Sequence, residues 1–215
     1  MSEFFLELFS EEIPPKLQID ARENIKKIFI ENFKKKNIQY KSFSSFSTPR
    51  RLVFIADGIP EKIEQKEKVI KGPKIDAPSI ALEGFLNSNG LGKSDVYVKD
   101  IEKGKFYFAK IKSKTINVFE ELSSIVPNVL QSYPWKKAMK WSNYQLDWGR
   151  PLKSIVALFN NKLVSFNFYH LKSTDLIFRD ETMEEKQIKV KNFKSYLNQL
   201  KLNNIILDQA KRRNI

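Results

Sequence analysis

The sequence predicts an α+β fold, with mixed or antiparallel sheets packed against helices, a βαβ start and room for two subdomains. Three stretches carry that expectation. EFFLELF, residues 3–9, is too short and aromatic for an independent helix and reads as a buried opening strand. Between Lys16 and about Lys36, the apolar residues Leu17, Ala21, Ile25, Ile28, Phe29 and Phe33 recur at three- and four-residue steps, the signature of an amphipathic helix. RLVFIAD, residues 51–57, reads as a second strand, stopped by Gly58 and Pro60. Strand, helix and strand in that order suggest the βαβ start, with helices on one face of the sheet.

The elements between and beyond these follow from local signals. SEEIPPK is a turn that places Pro14 and Pro15 in the first turn of the long helix, where a missing N–H costs nothing. Lys34, Lys35 and Lys36 at its far end complement the helix dipole. Residues 61–78 are charged and broken by proline, and read as a linker with one short strand at KVIKG. A short helix over Ser79–Ser88 ends at Asn89-Gly90, a left-handed cap. VYVKDIEKGKFYFAKIK has the alternation of a hairpin joined by Glu102, Lys103 and Gly104. Asn117, with Glu120 three residues on, caps a helix from about Val118 to Ser132, which Pro127 is expected to kink or split. SIVALF reads as a strong apolar strand or helix, and NKLVSFNFYHLKS as a strand pair or one long bent strand. NFKSYLNQLKLNNIILDQAKRRNI gives a helix, an apolar stretch and the start of another helix. The expected organisation is an N-terminal βαβ unit over 1–60, the linker over 61–78, and a second α+β part over 79–215. The last element has no C-cap signal, so the chain is expected to continue as a longer protein.

Composition narrows the function. No apolar run approaches the ~20 residues of a membrane helix. The acidic N-terminus does not resemble a signal peptide, and the absence of cysteine fits a reducing cytoplasm. A net charge of +13 points toward an anionic partner, nucleic acid above all. The rival reading is compositional drift, since 31 lysines accompany 22 isoleucines and 16 asparagines against only 7 arginines. The arginines are the more informative cations, because their planar fork suits phosphates and base edges.

Little in the sequence resembles a catalytic site. His170, the one histidine, lies in an apolar strand without zinc-binding companions or a general-base pattern, and reads as structural. Glu11/Glu12 and Glu120/Glu121 sit where helix starts attract acids, and sequence neighbours do not face each other on a helix. Seven glycines occur, none in the spacing of a phosphate-cradling loop. Binding has the better case. Between Tyr133 and Lys153, Trp135, Trp141, Tyr144 and Trp148 interleave with Lys136, Lys137, Lys140, Arg150 and Lys153, while Asp147 is the sole acid. Aromatic faces can stack on unpaired bases while cations follow phosphates. Alternatively, Trp135, Met139 and Trp141 are core anchors and the lysines are their solvated neighbours.

Several ordered stretches together resemble one family, the β subunit of the bacterial two-subunit glycine–tRNA ligase. FFLELFSEEIPPK is similar to its opening strand and turn, and STPRRLV resembles its TPRRL signature. IKGPKIDAPSIALEGFLNSNGL is similar to its basic-Gly-Pro…Gly-Phe segment. KKAMKW followed by GRPLKSIVALF resembles its basic-Met-basic-Trp…Arg-Pro block. IILDQAKRRNI fits a segment that continues in full-length members. The chain departs from the family at LIFRDE, where only Phe178 and Arg179 echo a Gly-His-Arg-Phe motif, and at KKAMKW, which has lysines where arginines are usual.

The resemblance implies a division of labour. The α subunit would hold the class II aminoacylation site and use ATP with magnesium. The β subunit would hold and position tRNA(Gly), in a cytoplasmic α2β2 assembly. This chain would then bind no cofactor itself. Arg50, Arg51, Lys136, Lys137, Lys140 and Arg150 would grip the phosphate backbone, fixing register without reading sequence. A free-standing RNA-binding or interaction module, and a small-molecule enzyme, are the alternatives. LVFIA is apolar on both alternating faces and should be buried on both. Arg50 and Arg51 then point to opposite sides at its start, so one can grip RNA while the other pins a neighbouring loop or subunit.

Overall fold

The computed structural model describes residues 2–65, 67–101, 104–111, 113–178 and 187–214. Arg179 and the proposed hairpin residues Glu102 and Lys103 lie outside the described residues. The chain divides into unit 1, Met1–Ile63 with Asn117–Ile215, and unit 2, Glu64–Ile116. This division replaces the expected boundary at 61–78. That segment is built mostly of strands, and the second unit is an insertion from which the chain returns to the first.

Along the chain, β1 (Glu3–Ser10), α1 (Pro15–Lys35), β2 (Ser42–Thr48) and β3 (Arg51–Asp57) lead to β4 (Lys62–Gln65). Then come β5 (Lys68–Lys74), α2 (Ser79–Asn89), β6 (Val96–Ile101), β7 (Gly104–Ile111) and β8 (Lys114–Asn117). α3 (Val118–Ser132), β9 (Leu152–Phe159), β10 (Lys162–Leu163), β11 (Asn167–Phe168) and β12 (Leu171–Lys172) follow. The last described elements are β13 (Leu176–Ile177), β14 (Ile188–Lys189), α4 (Phe193–Leu202) and α5 (Gln209–Arg213).

Unit 1 is built on a five-stranded sheet of order β10-β9-β1-β3-β2. β3 is antiparallel to both β1 and β2. The βαβ start is therefore split. α1 links two parallel strands, β1 and β2, and RLVFIAD inserts antiparallel between them. The sequence reading lacked β2 because SFSSFST is serine-rich, and its strand character depends on pairing with β3 and burial of Phe43.

Strand alternation gives the sheet two apolar faces. On one, Phe4, Leu6 and Leu8 of β1 join Leu52, Phe54 and Ala56 of β3 beneath α1 and α3. On the other, Phe5, Val53, Ile55, Val156 and Leu158 pack beneath Tyr196 and Leu200 of α4. Both faces of LVFIA are thus buried. α1 enters this core along its predicted stripe, and Phe29 meets the rings of Phe4, Phe43 and Phe54 with centroids 5.9 Å away in each case. α3 runs through Pro127 as one 15-residue helix rather than splitting. Proline removes one backbone donor, and six buried residues on α3 hold the element to the core.

Asn160 and Asn161, both with positive φ, turn β9 into β10, as a two-residue hairpin requires. NKLVSFNFYHLKS is broken into short pieces: β10 pairs with β9, and β11 and β12 form a strand pair reversed at Tyr169 with φ 53°. The β2 edge is covered in part by α5, where Arg212 donates to the Ser47 carbonyl at 2.6 Å and Gln209 to that of Ser45 at 3.4 Å. Covering an exposed edge limits strand-to-strand association.

Unit 2 is a three-stranded antiparallel sheet, order β5-β7-β6, with α2 against it. α2 ends at Gly90 in the left-handed conformation, φ 62°.

Phe29→Ala should destabilise unit 1 by about 3–5 kcal/mol, the usual cost of emptying a buried aromatic site. Urea unfolding followed by circular dichroism measures this.

Candidate nucleic-acid interface

The two arginines of STPRRLV have different fates. Arg51 begins β3 on the face covered by α4 and is 4% exposed. Its Nε lies 3.2 Å from Glu7 Oε2, and its Nη2 donates to the Phe178 carbonyl at 2.8 Å. The guanidinium sits 4.7 Å from the centre of the Phe9 ring. Glu7, fully buried in the middle of β1, also accepts a hydrogen bond from the Tyr196 hydroxyl. Burial pushes the Glu7 carboxyl above its ordinary range, while Arg51 and Tyr196 pull it back. Tyr196 is held well above the ordinary phenol range by burial and by the neighbouring carboxylate. Arg51 is therefore withdrawn from the phosphate-binding set. It pins the loop at Phe178 to the sheet. The sequence signal was Glu7 itself, a lone acid inside the apolar run EFFLELF, which needs a buried partner.

Arg50 stays in the turn between β2 and β3, with its side chain 15% exposed and paired with Glu12 at 3.2 Å. That turn is stitched to the segment after β1, which is itself bonded to the segment before β9. The Ser10 N–H donates to the Arg50 carbonyl at 2.9 Å and the Ile13 N–H to the Pro49 carbonyl at 2.7 Å. The Glu11 N–H donates to the Pro151 carbonyl at 3.0 Å. SEEIPP, TPRR and GRPL thus converge on one rim of the sheet, although they are far apart in sequence.

A groove of about 680 Å³ opens at this rim, lined by Pro14, Pro15, Lys16, Leu17 and Asp20 of the α1 start and by Lys136, Lys137 and Arg150. Pro14 offers α1 no side-chain cap, and no acid occupies the first turn, so the positive helix end is not neutralised there. Lys136 is 72% exposed and pairs with Asp20 at 2.6 Å. Lys153, just beyond, pairs with Glu11 at 2.6 Å. Among the described residues, Lys16, Lys137 and Arg150 have no ion pair with an acid. Arg150 Nη1 donates to the Gly149 carbonyl at 3.0 Å, which orients its fork. Of the six expected contacts, Lys136, Lys137 and Arg150 share the groove and Arg50 belongs to its rim. Lys140 does not line it, and is 3.8 Å from Asp147. Lys16 was missed, since one lysine in a helix start carries no sequence signal.

The aromatic residues of 133–153 divide between core and surface. Trp148 is 1% exposed, and the Trp135 ring stands 4.9 Å from it, edge to face. Both anchor the segment; Trp135 was one of the core anchors expected from the sequence, and Trp148 was not among them. A Cβ at Gly149 would come within 2.3 Å of the Trp135 ring, so only glycine fits there. Of the other two expected anchors, Trp141 is partly buried against the core, whereas Met139 is 41% exposed. Tyr144 stacks on His170 at 3.6 Å and Trp141 meets the same imidazole edge-on. Burial lowers the affinity of His170 for a proton. This packing supports its structural reading.

The converging segments are those that carried the family resemblance, and comparison with known proteins agrees. The model of the glycyl-tRNA synthetase β-subunit family matches residues 4–215. The chain belongs to that family. The glycine–tRNA ligase β subunit of Rickettsia typhi is 36% identical over the whole of this chain, and that of Rickettsia prowazekii is 35% identical. The chain spans 32% of the length of each. In this family member TPRRL contributes one arginine to the core and one to the rim.

Arg51→Met alone should cost about 3–5 kcal/mol, because it leaves Glu7 buried without its cation. Replacing all three groups, as Glu7→Leu/Arg51→Met/Tyr196→Phe, should recover most of that loss in chemical denaturation. Gly149→Ala should displace Trp135, destabilise by about 1–3 kcal/mol, and shift the tryptophan emission.

Proposed function

We propose that this chain is a tRNA-holding region of a two-subunit glycine–tRNA ligase. In that enzyme an α subunit carries out the ATP- and magnesium-dependent attachment of glycine to tRNA(Gly), within a cytoplasmic α2β2 assembly. The observation that carries the proposal is the groove at the start of α1, where Lys16, Lys136, Lys137 and Arg150 meet the uncapped helix end. Phosphate oxygens of a duplex arm would accept hydrogen bonds from the Arg150 fork and ion-pair with the lysines. Such contacts hold the RNA in register and leave sequence discrimination to other parts of the protein. Arg50, already paired with Glu12, steadies the rim. Family membership supports this reading, as does the lack of a phosphate-cradling glycine motif in the sequence.

Lys137→Gln/Arg150→Gln should weaken tRNA(Gly) binding and flatten the dependence of log K on log salt by about one to two units. Fluorescence anisotropy across a salt series measures both. In the full-length β subunit mixed with α, the same pair should reduce glycine charging at limiting tRNA. A folded double variant with unchanged affinity and slope would remove the groove from the interface.

A further inference from the structure

The two faces of the unit 2 sheet differ in character. On one side, a Cβ at Gly72 would come within 2.9 Å of the Phe85 ring of α2, and Ala109 is fully buried. Alternation directs Lys71, Tyr97, Lys99, Phe106 and Phe108 to the opposite side. The register places Lys71 and Tyr97 beside Phe108, and Lys74 and Lys99 beside Phe106. Tyr97 is 44% exposed, and its ring stacks against Phe108 at 6.1 Å and 26°. The ammonium groups of Lys71 and Lys74 lie 3.5 and 5.6 Å from the centre of the Phe106 ring. Glu67, an acid that alternation brings to this side, is paired with Lys110 at 2.8 Å.

We propose that this face binds single-stranded RNA, with unpaired bases stacked on Tyr97, Phe108 and Phe106 and backbone phosphates held by Lys71, Lys74 and Lys99. Exposed aromatic rings on a sheet offer a stacking platform to any base, and flanking lysines follow the backbone. A duplex keeps its bases stacked internally, so the face selects unpaired nucleotides. The lysines over Phe106 do not oppose this. An exposed cation–π contact is weaker than the stacking of a base on an aromatic side chain. The flexible lysine stems can give up the ring and take a phosphate. Covering the face with protein would instead strip water from three lysines and require acids from the cover. Charge complementarity therefore favours a polyanion with π-faces. The proposal stands independently of the groove in unit 1.

Fluorescein-labelled 12-nucleotide oligouridylate and a 12-base-pair RNA duplex, titrated into the 215-residue chain, test it. Tyr97→Leu/Phe108→Leu keeps apolar bulk and removes two rings. It should weaken the oligouridylate about fivefold or more, with the duplex changed by less than about twofold. Lys71→Gln/Lys74→Gln/Lys99→Gln should lower the oligouridylate salt slope by about two. Lys137→Gln/Arg150→Gln should do the reverse, affecting the duplex and sparing the oligouridylate, so failure of one site is distinguishable from failure of the other. Unchanged oligouridylate affinity in a leucine variant with a wild-type thermal transition would overturn the proposal. If that variant unfolds, photo-crosslinking of 4-thiouridine RNA to the unsubstituted chain decides. Adducts within 97–108 support the face, and adducts confined to other segments overturn it. Protection of Lys71, Lys74 and Lys99 from acetylation in RNA-free full-length protein would likewise overturn it, identifying a protein cover.

Discussion

The carboxylate of Glu7 is the point on which unit 1 turns. It lies in the central strand of the sheet, fully buried, and draws Arg51 from β3 and the Tyr196 hydroxyl from α4 onto itself. Arg51 in turn fixes the Phe178 carbonyl. One acid thus joins two strands, a helix and a loop that are distant in sequence. A buried ion pair adds little net stability over a well-packed apolar replacement, but losing one partner is costly. Its effect here is on geometry: it sets where β3 begins, and hence where the turn carrying Arg50 projects.

The rim follows from that placement. With β3 fixed, the Pro49–Arg50 turn receives N–H donors from Ser10 and Ile13, and the Glu11 N–H reaches Pro151. These bonds bring the start of α1 and the segment before β9 to the same edge. Trp135 and Trp148 then seat the intervening basic segment, with Gly149 making space for the Trp135 ring. The cations of the proposed RNA-holding groove are consequently presented by a rigid support. Preorganised charge costs less entropy on binding than charge carried on a loose loop.

The periodicity of α1, the strand character of FFLELF and RLVFIAD, and the Gly90 cap were legible because each is a local pattern. The Asn117 cap and the start of α3 were legible for the same reason: the Asn117 side chain accepts from the Phe119 N–H. SFSSFST was not, since a serine-rich strand owes its existence to its neighbour. Lys136, Lys137 and Arg150 were visible as cations in an unusual aromatic segment. Their meeting with Lys16 was not visible, because α1 starts more than a hundred residues earlier. The alternation of aromatic and lysine residues across β6 and β7 was present in the hairpin pattern. Its meaning depended on knowing which side α2 covers.

By itself the sequence determined the α+β class, the main helices and strands, and the family, because periodicity, caps and ordered motifs are written in neighbouring residues. Tertiary structure alone decided what the paired arginines do. Two adjacent residues of identical chemistry were separated by sheet alternation. One faces a buried carboxylate and becomes part of the core, while the other remains on the turn at the rim. Burial and long-range pairing assign those roles, and neither is encoded in the dipeptide.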